Sequence, residues 1–355
     1  MHGGDIYRNE VEIDFSVNIN SKGIPFRVEE ALKNAVQKCT CYPDIKAEKL
    51  KKEIAEMIET DVEDLICGNG ASELFLALIR AIKPKKVLIP VPSFYGYEKV
   101  TDSTVCETVY YKMKEKDDFK LTDDFLQYLT EEINLIFLTN PNNPVGNCID
   151  PVLLEKIIQI CFEKKIHVIL DECFIEFTKR EEKDTFLHKT KQYPNVIVVR
   201  AFTKIFAIPG VRLGYLVCTD EILKQKIYDQ LPEWNLSVFA QEAGCAAAKE
   251  TKFIKDTVEE TTKEREYLMQ ELRRRSIKVY EGEADFLLFY SEIDLKEELL
   301  KQKILVRDCS NFRGLRKGFY RIAVKRREEN QILICAIDEI RRKKGRMLDG
   351  TTNDL

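Results

Sequence analysis

The sequence predicts an α/β protein, a mainly parallel sheet flanked by helices, with a smaller α+β domain appended. Three observations point there. The middle of the chain alternates short apolar runs with amphipathic stretches, the pattern of parallel strands joined by helices. Its 355 residues are enough for about two domains, each with its own core. The last third then changes character, to a charged helical stretch followed by short strand-like pieces.

Each element has its own signal. Candidate strands are Val87–Pro90, Leu135–Leu138, His167–Leu170, Val196–Val199 and Leu213–Cys218. Asp150 and Pro151 form an N-cap and first-turn pair, after which Leu153, Leu154, Ile157, Ile158 and Cys161 fall on one helical face. A second helix starts at Ser72 and carries Leu74, Leu78, Ile79 and Ile82. Beyond these, a long helical stretch is expected from about Ala240 to Arg275. Strands follow at Ile277–Tyr280, Phe286–Tyr290 and Tyr320–Val324, then a last helix from about Glu328 to Arg342.

Composition narrows the function. A net charge of −4 with Lys and Glu intermixed argues against nucleic acid as a partner. No apolar run approaches the roughly 18 residues that cross a bilayer, so no membrane partner is expected. Met1–Asp5 lacks the basic and apolar regions of a signal peptide, which predicts a cytoplasmic protein. Eleven cysteines scattered from Cys39 to Cys335 read as reduced, mostly buried thiols; Cys39 and Cys41 alone are a weak metal signal, and no metal is expected.

In open α/β sheets, ligands bind beyond the carboxyl ends of the strands. Three predicted strand ends carry polar groups there: Asn140-Pro-Asn-Asn-Pro-Val-Gly146, then Asp171, then Lys204. Singly these have ordinary readings. Asp171 could cap a helix, the Asn-Pro run could be a turn, and Lys204 could be a surface lysine. Together they meet the needs of pyridoxal 5′-phosphate. That cofactor wants a desolvated lysine near other cations and a buried carboxylate for its pyridinium nitrogen. It also wants backbone N–H groups and a cation for its phosphate. Gly68-Asn-Gly70-Ala71-Ser72 leads into a helix and fits the phosphate cup, and Arg212, eight residues after Lys204, supplies the cation.

On GNGASE, NPNNPVG, DECF and FTKIFAIPGVRLGY, in that order along nearly the whole chain, the sequence resembles the fold-type-I pyridoxal-phosphate enzymes of aminotransferase class I/II. The resemblance implies that Lys204 holds the cofactor as a Schiff base and Asp171 partners the pyridine nitrogen. It implies that Asn143 bonds the ring hydroxyl, that Gly70, Ala71, Ser72 and Arg212 hold the phosphate, and that Phe94 stacks on the ring. Tyr42, in Cys-Tyr-Pro-Asp, matches a tyrosine that reaches the neighbouring subunit's site, which implies a homodimer with shared active sites. The implied division is an N-terminal arm with part of the small domain over 1–35, a large cofactor-binding domain over 36–245, a small domain over 246–344 and a disordered tail over 345–355.

Two branches of the family are similar, the threonine-phosphate decarboxylases of cobalamin synthesis and the histidinol-phosphate aminotransferases. Both take a small phosphorylated amino substrate. The decarboxylase branch is favoured by its resemblance to His2-Gly-Gly-Asp-Ile, to Asp14-Phe-Ser-Val-Asn18-Ile-Asn and to the segments around Arg307 and Arg321. By that resemblance His2 and Arg307 face the substrate phosphate, Asn18 contacts the substrate with Asn143, and Arg321 meets the carboxylate end. Two arginines fourteen apart on strand-like pieces also suit a doubly anionic ligand in their own right. The other reading of Arg307 is a surface pair with Asp308 or another acid.

Phe174 stands where aminotransferases commonly carry a tyrosine that donates to the ring hydroxyl, which agrees with decarboxylation. The expected reaction is therefore decarboxylation of O-phospho-L-threonine. The alternatives are aminotransfer from histidinol phosphate and decarboxylation of O-phosphoserine. Ala201 departs from the family's usual hydroxyl residue on the cofactor phosphate, and Thr203 stands as the compensating hydroxyl. Val145 replaces a more usual Thr or Ser, while the turn glycine Gly146 is kept.

Overall fold

The computed structural model describes residues 3–350, with side chains through Lys343. Its centre is a seven-stranded sheet formed by Leu65–Gly68 (β1), Lys86–Val91 (β2), Glu107–Lys112 (β3), Leu135–Thr139 (β4), His167–Asp171 (β5), Val196–Ala201 (β6) and Gly214–Val217 (β7). The strand order is β1-β7-β6-β5-β4-β2-β3. The five strands from β6 to β3 run parallel, and β7 is antiparallel to both of its neighbours.

The central strands are apolar throughout because both faces are covered. Alternate residues serve the two sides, with Leu138, Val168 and Val198 in one core and Phe137, Ile169 and Ile197 in the other. All five strands read from the sequence are present. β1 and β3 were not anticipated: β1 is only four residues, and the charges of Glu107 and Lys112 and the partial exposure of β3 hide its periodicity.

The helix Pro151–Glu163 begins as expected, with the Asp150 carboxylate accepting from the N–H groups of Val152 and Leu153. The long stretch expected from Ala240 to Arg275 is two helices, Val238–Ala247 and Thr251–Arg274. Ser237 caps the first, which packs against the helix Phe26–Ala35. Glu250, with non-helical backbone, starts the second, which runs along the small domain. The chain turns between them because the two helices serve different cores.

The small domain holds an antiparallel sheet of Lys278–Val279 (β8), Phe286–Tyr290 (β9), Arg307–Asp308 (β10) and Phe319–Ala323 (β11), in the order β10-β11-β9-β8. Ile13–Asp14 pairs in parallel with Ile304–Leu305, and Phe15 is buried in the core of that domain. The last helix runs over Arg327–Gly350, past the Arg342 end read from the sequence. The tail expected over 345–355 thus begins on this helix, and 351–355 lie outside the described residues.

One buried ion cluster fixes the strand ends. Arg200, on β6 and 2% exposed, donates from Nε and Nη2 to Glu172 Oε2 at 3.0 and 2.9 Å and from Nη1 to Glu181 at 2.8 Å. Glu172 also accepts from the N–H of Phe186 and the hydroxyl of Thr185. Glu172 follows Asp171 directly, so this cluster ties the segment bearing Asp171 to the strand that leads to Lys204. Arg200→Met strands the Glu172 and Glu176 carboxylates without their cation. It is expected to lose about 3–5 kcal/mol in equilibrium urea unfolding, where a loss under ~1 kcal/mol would show that the cluster holds nothing in place.

Candidate active site

The parallel register brings Thr139, Asp171 and Val199 level at the carboxyl ends of β4, β5 and β6. A cavity of about 220 Å³ opens there. Lys204 enters it from the short helix Phe202–Ile205, which follows β6 immediately. The N-terminal arm closes one side: the N–H of Asn20 donates to Lys204 O at 3.1 Å and its side chain to Ile205 O at 2.7 Å. From the small domain, Arg307 and Arg321 complete the wall.

Of the residues expected from the sequence, the cavity gathers Asn18, Ala71, Ser72, Phe94, Asn143, Asp171, Thr203, Lys204, Arg212, Arg307 and Arg321, together with Phe174 and Ala201. Gly70 adjoins it as the residue that starts the helix Ala71–Ile82. Tyr42 is not among the lining residues; its ring is 81% exposed and lies 4.8 Å from that of Trp234. His2 lies outside the described residues.

The acidic floor is Asp171. Its Oδ1 accepts from the N–H of Cys173 at 2.9 Å and its Oδ2 from the Tyr97 hydroxyl at 2.5 Å. Burial pushes this carboxyl above its ordinary range, opposed by those two hydrogen bonds and by Lys204. Tyr97 is itself buried and lies 2.9 Å from the Thr139 hydroxyl, stacked on Phe137 with ring centroids 4.7 Å apart. Neither Tyr97 nor Thr139 was singled out in the sequence. The available signal was a tyrosine among core aromatics, whose hydroxyl needs a buried partner.

Lys204 is held below its ordinary range by burial, with Arg321 and Arg212 adding to the effect and Asp285 and Cys173 opposing it. That direction favours the neutral amine, the form that attacks a carbonyl carbon, relative to an exposed lysine.

The start of the helix Ala71–Ile82 forms an anion cup. No side chain caps it, so the first N–H groups are left for a ligand. The Arg212 guanidinium lies over Gly70, where a Cβ would come within 2.4 Å of Nη2. Behind the cup, a Cβ on Gly214 would come within 2.7 Å of Ala71 N, so only glycine lets β7 approach this turn. Arg212 holds a left-handed backbone, φ +63°, an uncommon conformation for such a residue and one that accompanies functional sites.

Arg307 and Arg321 face each other as paired residues of β10 and β11, both 7% exposed. Arg307 donates to Asp308 O at 2.6 Å and Asn311 Oδ1 at 2.9 Å, and its guanidinium lies 5.0 Å from the Phe312 ring centroid. Arg321 donates to Asn143 Oδ1 at 2.5 Å and Ser16 O at 3.0 Å, while its Nε has no partner. Among the described residues neither guanidinium forms an ion pair with a carboxylate, so the surface pairing of Arg307 with an acid is overturned. Burial pushes Arg307 down and Arg321 down to about 10. The buried Asn18 Oδ1 is likewise unpartnered.

The described lining therefore sets Lys204, Arg212, Arg307 and Arg321 against the one carboxylate of Asp171. Elsewhere, Cys148, Asp184 and Glu283 bring ligand-type atoms within 4.8 Å of one another, but Arg180 already pairs with Asp184 at 3.0 Å and Glu283 at 3.8 Å.

A shelf of parallel strand ends bearing a lysine, a carboxylate and an anion cup defines the aminotransferase-like class. The model of the family "Aminotransferase class I and II" matches residues 10–337, and the chain belongs to that family. The chain is 39% identical over 342 residues to a protein of Caldanaerobacter subterraneus subsp. tengcongensis provisionally named a threonine-phosphate decarboxylase, covering 95% of this chain and 92% of that one. It is 33% identical to the threonine-phosphate decarboxylase of Salmonella typhimurium, over 92% of this chain and 91% of the relative. Among solved structures, a histidinol-phosphate aminotransferase from Clostridium acetobutylicum superposes with a TM-score of 0.88 at 29% identity, over 93% of this chain and 99% of the other.

Pyridoxal phosphate is the cofactor of this family. The residues present fit it: an uncapped helix start under an arginine, a buried carboxylate that forms no ion pair, and a lysine that burial pushes towards its neutral form, all about one cavity. Tyr97→Phe removes one of the two donors to Asp171. It is expected to weaken cofactor binding about 10- to 100-fold in a titration of the apoprotein, the worth of a charge-assisted hydrogen bond; a change under twofold would reduce Tyr97 to packing.

Proposed function

We propose that this protein decarboxylates O-phospho-L-threonine to 1-amino-2-propanol O-phosphate, the reaction that supplies the aminopropanol arm for cobalamin synthesis. The observation that carries the reading is the buried, unneutralised pair Arg307 and Arg321, a receptor for one ligand with two anionic ends. The names of the relatives at 33% and 39% identity agree with it. Phe174, with no hydroxyl to offer the ring oxygen, is the feature that favours decarboxylation over aminotransfer.

Pyridoxal phosphate, when bound, supplies an electron sink for the pair left as a bond to the substrate's α-carbon breaks. The residues divide the remaining work. Arg212 and the N–H groups of the Gly70–Ser72 turn hold the cofactor phosphate, with Thr203 supplying the hydroxyl that Ala201 lacks. Asp171 keeps the proton on the ring nitrogen, Asn143 bonds the ring hydroxyl, and Phe94 covers the ring face. Lys204 would hold the cofactor through its amine. Arg307, with His2, takes the substrate phosphate; Arg321 and Asn18 take the carboxylate end. The Cα–carboxylate bond breaks, CO₂ leaves, and a proton from Lys204 Nζ or from water goes to the α-carbon.

We further infer a cytoplasmic homodimer. Tyr42, Trp234 and Phe26, 81%, 43% and 75% exposed, offer aromatic surface for a second copy whose site Tyr42 would reach.

Supplied with O-phospho-L-threonine and no keto acid, the holoenzyme is expected to release CO₂ and amine in equal amounts. Absence of CO₂, together with amino transfer from histidinol phosphate to 2-oxoglutarate, would replace this reading with the aminotransferase. Arg307→Ala is expected to raise KM for phosphorylated substrate about 10- to 100-fold while cofactor affinity holds. Equal losses in both would make Arg307 structural.

A further inference from the structure

The head of Arg307 is oriented by the turn that follows it. Its Nη2 donates to Asn311 Oδ1 at 2.9 Å, and its guanidinium lies 5.0 Å from the Phe312 ring centroid. Both groups belong to the turn between β10 and β11, and Phe312, 4% exposed, lines the cavity beside Arg307. The direction in which Arg307 points therefore follows the placement of that turn.

The turn is gripped from the large domain. Its next residue, Arg313, donates from Nε to both oxygens of Glu98 at 3.2 Å and from Nη2 to Oε2 at 3.0 Å. The same guanidinium lies 4.1 Å from the Tyr110 ring centroid, and the Tyr110 hydroxyl donates to Glu98 Oε2 at 3.3 Å. Glu98 stands in the first turn of the helix Gly96–Asp102, which follows the cavity residues Phe94 and Tyr95 directly. Further along the turn, Arg316 donates from Nη1 to Glu115 Oε2 at 2.5 Å.

A lone surface ion pair contributes little to stability, but here two nitrogens grip one carboxylate while the guanidinium plane covers a ring. That combination fixes a direction as well as a distance. Neither Glu98 nor Arg313 lines the cavity; both line an outer groove that shares Tyr95 and Phe312 with it.

We propose that Glu98 and Arg313 are positioning residues whose pair sets Asn311 and Phe312, and through them the Arg307 guanidinium, for the phosphate of the substrate. The chain of contacts is continuous: Glu98 holds Arg313, the two residues before Arg313 hold Arg307, and Arg307 faces the cavity. Losing the pair loosens the phosphate end of the site and leaves the cofactor's own contacts, at Gly70 and Arg212, untouched.

The inference rests on Arg307 taking the substrate phosphate, and variants of the holoenzyme separate the two claims. Both paired side chains are partly exposed, 47% for Arg313 and 23% for Glu98, so a neutral substitution strands no buried charge. KM and kcat are measured with the phosphorylated substrate that the parent turns over, O-phospho-L-threonine or histidinol phosphate. Glu98→Gln and Arg313→Gln are each expected to raise KM about 3- to 10-fold, with kcat and cofactor affinity holding. The double variant is expected to lose no more than either single one, because the two residues act as one unit. In an Arg307→Ala background, Glu98→Gln is expected to add less than about twofold. Single losses under about twofold, losses that multiply in the double variant, or equal losses of cofactor affinity would overturn the proposal. Full sensitivity to Glu98→Gln without Arg307 would overturn it as well, while leaving Arg307 as the phosphate ligand. An Arg307→Ala enzyme with the parent's KM, or a parent that turns over neither substrate, would remove both claims.

Discussion

The structure depends on a surplus of positive charge gathered at the carboxyl ends of three parallel strands, with Arg307 and Arg321 held out of water. Lys204, Arg212, Arg307 and Arg321 line one cavity, and Asp171 is the one carboxylate in its described lining. Burying cations without partners is unfavourable by several kcal/mol each, so a fold keeps such an arrangement where anionic ligands complete it. The uncapped helix start at Gly70 and the arginine pair of β10 and β11 offer donors for negative groups on two different elements. A phosphorylated cofactor and a phosphorylated amino acid satisfy both.

The large domain places its part by register and the small domain by pairing. Level strand ends bring Asp171 near Lys204, and the Arg200–Glu172 cluster holds those ends together. Opposite them, the hairpin register sets Arg307 against Arg321, and Arg321 reaches back to Asn143 on the large domain and Ser16 on the arm. This wall of the cavity is thus assembled from three segments far apart in sequence. Arg321 thereby joins the small sheet to the large one, because one of its partners, Asn143, belongs to the loop after β4.

Much of this was legible in the sequence, for a physical reason. Strands buried on both faces must be apolar, so β2, β4, β5 and β6 stood out, and the polar groups after them marked the cavity. β1 and β3, short or half-exposed, lacked that contrast. The break between Val238–Ala247 and Thr251–Arg274 was hidden because Ala, Lys and Glu are all good helix formers; the turn comes from packing in two directions. Tyr97 was missed for a different reason. Tyr97 looked like core and bonds through a hydroxyl that sequence cannot aim.

The central claim is that Lys204 is the lysine to which the cofactor is bound. Borohydride reduction of the holoenzyme followed by peptide mapping tests it directly, because reduction makes the linkage permanent. The account predicts one modified peptide, carrying the cofactor on Lys204. Modification of a different lysine, or none in a protein that binds the cofactor, would contradict it.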